Sequence, residues 1–228
     1  MVKYFFNDLI QACFKDKFLF LLISILCLLV FVPIFRGFVE IRILTNIFMT
    51  TTLISGVYAV NKKRHVLLTA VFLAMPFLAS MWTGIFLKIP SLFLVGECFG
   101  ILFTCFIIIT ILSILFGEQE VTTNVIYGSI VVYLLIAIMW AFIYSVLDII
   151  QPGSFAIGEH QVEAGRLLFI YFSFVTITTL GYGDITPVTA PANSFAILEA
   201  VIGQIYLVVT VARLVGINIS QFMNRKSG

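Results

Sequence analysis

The segment Thr176-Ile177-Thr178-Thr179-Leu180-Gly181-Tyr182-Gly183-Asp184 sets two glycines around a tyrosine, after a run of threonines and before an aspartate. Such a backbone suits one task, the holding of a bare cation. Selecting a cation inside a membrane takes oxygen ligands that replace its water shell, and a ring of backbone carbonyls supplies them. Turning every carbonyl inward requires φ > 0 at intervals, which L-residues adopt only at a cost. Gly181 and Gly183 meet that need. Tyr182 between them can point away from the ion and hold the strand apart, while Thr179 adds a hydroxyl at the inner mouth. One chain contributes one such strand, so a closed ring needs four chains around an axis.

A strand of this kind must be carried by helices in a bilayer, and the composition agrees. Of 228 residues, 61% are hydrophobic, 11% are charged and 24 are phenylalanines. A soluble domain has about a quarter of its residues charged. These figures exclude a water-soluble enzyme and point to an all-α membrane protein. A net charge of +2 with no basic run longer than Lys62-Lys63-Arg64 excludes nucleic acid as a partner. Cys13, Cys27, Cys98 and Cys105 lack the spacing of a metal site or a disulfide framework. No cofactor is expected besides a permeant ion.

Six stretches reach the roughly 20 apolar residues a span requires: 18–35, 43–60, 66–87, 92–116, 124–147 and 188 to about 217. Pro33 and Pro76 fall inside them, which membrane helices tolerate. The first stretch is long and lacks a cleavage site after it, so it is expected to remain as a span. Residues 167–178 are apolar but too short to cross, and glycines follow them. That pattern reads as a re-entrant helix and loop. The helix should end near Thr178, with its carboxyl end aimed at the membrane centre, where its partial negative charge favours a cation. Lys3, Lys15, Lys17, Lys62, Lys63, Arg64, Arg213, Arg225 and Lys226 fall on one side; Arg36, Arg42, Lys88 and Arg166 fall on the other. Nine against four puts both termini in the cytoplasm, for a protein of the plasma (inner) membrane. Residues 1–17 alternate apolar and polar faces at helical spacing, fitting an interfacial helix or an extension of the first span. The expected division is 1–17 interfacial helix, 18–116 four-helix domain, 117–123 linker, 124–217 pore module and 218–228 short cytoplasmic tail.

With those elements in place, the chain resembles the potassium-selective tetrameric cation channels over roughly residues 124–217, on the match of Thr179-Leu180-Gly181-Tyr182-Gly183-Asp184 to that family's selectivity filter. The resemblance implies a homotetramer in the lipid bilayer passing potassium ions. It implies K⁺ ligands at the carbonyls of Thr179, Leu180, Gly181 and Tyr182, with the Thr179 hydroxyl and Gly183 completing the filter. Thr178 and Asp184 would support it. There are departures. Leu180 stands where a β-branched residue is usual, Tyr171 and Phe172 replace a frequent tryptophan pair, and Val175 replaces a glutamate that some members pair with the aspartate. Tyr171 keeps a hydroxyl that can bond Asp184 behind the filter; Phe172 does not. Gly203 falls where the family often has a gating hinge, although a glycine there also permits close helix packing. In that register Gln204, Leu207, Val211 and Val215 would line the cavity.

Glu199 is a carboxylate in an apolar run, which demands a partner or water. It is expected behind the filter, bonded near Thr176 to Thr178, with a place near the outer end reaching water as the alternative. Voltage sensing needs basic residues every third position of the fourth span. The stretch 92–116 has none, and its Glu97 is expected to bond a neighbouring helix or, less simply, a cation or partner. The leading function is a passive potassium channel not gated by a charged helix. A weakly selective cation channel and a non-conducting scaffold or regulatory subunit are the alternatives.

Overall fold

The computed structural model describes residues 17–35, 40–61, 63–87, 89–158 and 166–226. The order is α1 (Lys17–Ile34), α2 (Ile41–Ala59), α3 (Arg64–Thr83), α4 (Pro90–Gly117), α5 (Thr123–Ile150), β1 (Phe155–Ile157), α6 (Arg166–Ile177), β2 (Ile185–Pro187) and α7 (Ala190–Lys226). The interfacial helix expected over 1–17 lies outside the described residues, apart from Lys17, which begins α1.

Five of these helices are long and apolar enough to cross a membrane: α1, α3, α4, α5 and α7. The remaining one of the six expected spans corresponds to α2. α2 forms where a span was expected, but Thr45, Asn46, Thr50, Thr51, Thr52 and Ser55 dilute its apolar character. Its hydroxyls are satisfied inside the helix, as when Thr50 and Thr52 donate to the carbonyls of Asn46 and Phe48. Asn46 Nδ2 donates to the carbonyl of Met81 on α3, at 2.9 Å. The last helix also runs further than the sequence suggested, through the 218–226 stretch expected as a tail, since no proline interrupts it.

α5 is the centre of the packing. α1 and α4 lie against its flank, and α6 and α7 lie against the other side. Gly128 permits the first of these approaches, because a Cβ there would sit 2.9 Å from Leu115 Cδ2 and 3.0 Å from Phe18 Cδ2. Lipid gives helices no hydrophobic reason to associate, so close contact through small residues does much of the joining. Phe77 of α3 meets Phe142 of α5 edge to face, with centroids 5.1 Å apart. The four-helix part is thus built directly onto its own α5.

α6 has 12 residues, about 18 Å of helix at 1.5 Å per residue, little more than half the apolar thickness of a bilayer. β1 and β2 pair antiparallel with Ala156 opposite Thr186, a connection the sequence did not suggest. The pair ties the chain leaving α5 to the chain following the glycine segment. Phe155 underpins it, packing edge to face on Tyr144, Phe169 and Phe172.

Candidate functional site

α6 ends in a backbone turn that introduces the glycine segment. Thr179 has φ +60, and its N–H donates to the Thr176 carbonyl at 3.0 Å; the Leu180 N–H donates to the Val175 carbonyl at 2.9 Å. These two bonds make a Schellman cap, ordinarily built on glycine at its left-handed position. A threonine there costs about 1–2 kcal/mol. Gly181 (φ +57) and Gly183 (φ +79) follow, so left-handed residues alternate with Leu180 and Tyr182 through the segment. Nothing lies within 4 Å of a Cβ built on either glycine, which leaves backbone strain as the reason for them.

The strand is supported from behind at several heights. Tyr171 donates to Asp184 Oδ2 at 2.7 Å, and the Ile185 N–H donates to Asp184 Oδ1 at 3.1 Å. The Asp184 carbonyl accepts from the Gly158 N–H at 3.0 Å. At the other end Tyr133 of α5 donates to the Ile177 carbonyl at 3.1 Å, satisfying one of the acceptors that a helix leaves open at its C-terminus. Tyr133 stacks in turn on Tyr206, whose hydroxyl donates to the Ser129 carbonyl at 2.7 Å. Thr178 is exposed, and its hydroxyl donates to the Phe174 carbonyl at 2.6 Å.

Glu199 is fully buried. It lies against α6 and α5, with Tyr144 donating to Oε2 and Ser173 bonded to Oε1. These partners differ from the expected 176–178 region. Glu199 sits a turn further toward the start of α6, and its second partner comes from α5. The Ser173 hydroxyl also lies 2.6 Å from the Ala137 carbonyl. One carboxyl group therefore joins three helices.

Residues 199, 203, 206, 210 and 213 form the stripe by which α7 faces its own chain. Gly203 is buried in it, and a Cβ there would fall 2.5 Å from Ile177 Cγ1. That close approach is reason enough for glycine. Further along the stripe, Arg213 donates to the Leu115 carbonyl at the end of α4 and lies over the Phe116 ring. Gln204, Leu207, Val211 and Val215 are all exposed in the single chain, away from this stripe.

Glu97 of α4 is fully buried and ion-paired with Arg166, the first residue of α6. Phe77 and Phe93 lie against the guanidinium, each centroid 5.2 Å from it. The partner lies at the start of α6, whereas the sequence places Arg166 only among the charges of one side of the membrane. Tyr133, Tyr144, Arg166 and Ser173 were all missed as site residues. Each is a polar side chain in or beside an apolar helix, the one signal that was available.

Two long helices flank a half-length helix and a strained, glycine-bearing segment, an arrangement compatible with a membrane channel. Residues 132–219, from within α5 to within α7, match the model of the ion channel family. The match covers under half of the chain and supports an ion-channel function for this integral membrane protein. No curated protein and no solved structure matches the chain.

Proposed function

We propose that the chain is one subunit of a four-fold, potassium-selective channel in the plasma (inner) membrane, with both termini cytoplasmic. Residues 179–183 are its filter. The observation that carries this reading is the alternation of positive φ at Thr179, Gly181 and Gly183, directly after a half-length helix. An ordinary strand sends successive carbonyls to opposite sides. Reversing the hand at every second residue brings them to one side, where the carbonyls of Thr179, Leu180, Gly181 and Tyr182 stand in for the water shell of K⁺. The Thr179 hydroxyl adds a ligand at the inner end, and the carboxyl end of α6 lends its partial negative charge to the same axis.

Burial supports the assembly. In α5, 61% of the best apolar window is buried within the chain, against 17% in α7. Leu180 and Tyr182 are 54% and 66% exposed. In a tetramer, neighbouring subunits cover the outer sides of α7 and the two filter side chains, and Gln204, Leu207, Val211 and Val215 line the cavity below. Gly203 serves close packing in this reading, and bending of α7 there would use the same lack of a side chain. α4 carries no basic residue, so voltage does not move it.

The test is purified protein in liposomes, with reversal potential measured across opposed K⁺ and Na⁺ gradients. A reversal near the K⁺ equilibrium potential is expected. Equal permeability would mark a weakly selective cation channel, and silence a non-conducting scaffold. Gly183→Ala should insert normally and lose selectivity, since its backbone sits at φ +79. Unchanged selectivity in that variant would remove the filter assignment.

A further inference from the structure

A cavity of about 340 Å³ opens among α2, α3, α4 and the start of α6. It lies at the end of the bundle that carries the β1–β2 pair, and none of the pore chemistry uses it. Its volume is at the lower end of those that take small molecules, enough for one acyl chain and too little for a two-chain lipid. Met81, Ile85, Leu92 and Phe93 are among its apolar walls.

The polar lining is one-sided. Thr45 and Ser80 already donate to carbonyls of their own helices, and Asn46 Nδ2 donates to the Met81 carbonyl. Two arginines remain. Arg42, in the first turn of α2, is exposed and makes no salt bridge with any described residue. Arg166 spends Nε and Nη2 on Glu97 Oε1, leaving several of its five N–H donors uncommitted. No described lining residue is an aspartate or glutamate. Among the described residues the slot presents apolar walls and two guanidinium groups with no carboxylate in its lining, a set complementary to an acyl chain ending in an anion.

We propose that this cavity binds a single acyl chain bearing an anionic headgroup, carboxylate or phosphate, held by Arg42 and Arg166. The chain lies along the walls of α2, α3 and α4. The head competes with Glu97 for Arg166, so occupancy bears on the first turn of α6. This site is independent of whether the chain conducts.

Binding is read by native mass spectrometry of the full chain in neutral detergent, titrated with dodecanoate, dodecyl phosphate and dodecanol. The anions should bind about tenfold or more tightly than the alcohol. Arg42→Gln should weaken the anions about tenfold and leave dodecanol unchanged. Ile85→Trp, which fills the cavity, should weaken all three. Retention of lysophosphatidylglycerol over lysophosphatidylcholine, both single-chain lipids, from mixed vesicles would identify a membrane lipid as the source, whereas binding of dodecanoate without that retention would identify a free carboxylic acid. Equal affinity for dodecanol and dodecanoate would overturn the proposal. So would an anion preference that survives both substitutions. Arg42 is exposed and lies outside the pore module, so the first variant tests the site without disturbing the fold.

Discussion

Replacing Glu199 separates hydrogen bonding from charge at the junction of α5, α6 and α7. In Glu199→Leu the volume is roughly kept and both acceptors vanish. Tyr144 is fully exposed to neither water nor lipid, being wholly buried, so its hydroxyl is left without its acceptor. Such an orphan costs about 1–3 kcal/mol. Ser173 keeps the Ala137 carbonyl and loses one further bond, worth about 1 kcal/mol. The sum is about 2–4 kcal/mol per chain, repeated in every subunit of an assembly. Glu199→Gln should cost less than about 1 kcal/mol. Its carbonyl accepts from Tyr144, and its amide donates to Ser173 Oγ while Ser173 donates to Ala137. Glu199→Leu combined with Tyr144→Phe should recover part of the loss, since removing both partners leaves no orphan. Denaturation midpoints in mild detergent and K⁺ flux in liposomes provide the readouts. Glu199→Gln proving as damaging as Glu199→Leu would refute the reasoning and show that the negative charge itself is required.

Three more expectations follow from the same geometry. Open probability should lack steep voltage dependence, because the sole charge between Pro90 and Gly117 is Glu97, tied to Arg166; a gating charge of several elementary units per subunit, measured in planar bilayers, would contradict this. Glu97→Leu alone should destabilise by about 3–5 kcal/mol by leaving Arg166 buried and unpaired, and adding Arg166→Met should restore most of it, as read by thermal unfolding. Gly203→Ala should cost about 1–3 kcal/mol through overlap with Ile177 and be relieved by Ile177→Ala, which removes the Cγ1 atom 2.5 Å away; no penalty in the single variant would show that α7 shifts freely there.

The parts legible in the sequence were those written in local signals. Run length distinguished α6 from a span, and the glycines at 181 and 183 marked the positions where the backbone now has positive φ. Tyr171 and Asp184 are 13 residues apart and bond as their spacing around the helix end allows. Partners chosen by packing were another matter. Glu97 and Arg166 lie 69 residues apart, Tyr144 and Glu199 lie 55 apart, and Arg213 reaches back 98 residues to Leu115. Each is one of several polar groups in apolar surroundings, and nothing local says which two will meet. β1 and β2 have three residues each, too few for an alternation to register. In α2, single polar residues scattered among apolar ones left the run looking like a span while lowering its mean hydropathy.

The two attachments of α4 have a mechanical consequence. The helix holds 28 residues, about 42 Å of rigid rod. Near one end it is fastened to the first turn of α6 through Glu97 and Arg166, and at the other its Leu115 carbonyl is grasped by Arg213 of α7. A rod pinned at both ends cannot tilt without moving what it is pinned to. Helices tilt when the apolar thickness around them changes. A change of tilt in α4 would therefore load α6 and α7 together, as a lever loads two joints. This coupling needs no basic residue in α4, because it rests on one ion pair and one hydrogen bond.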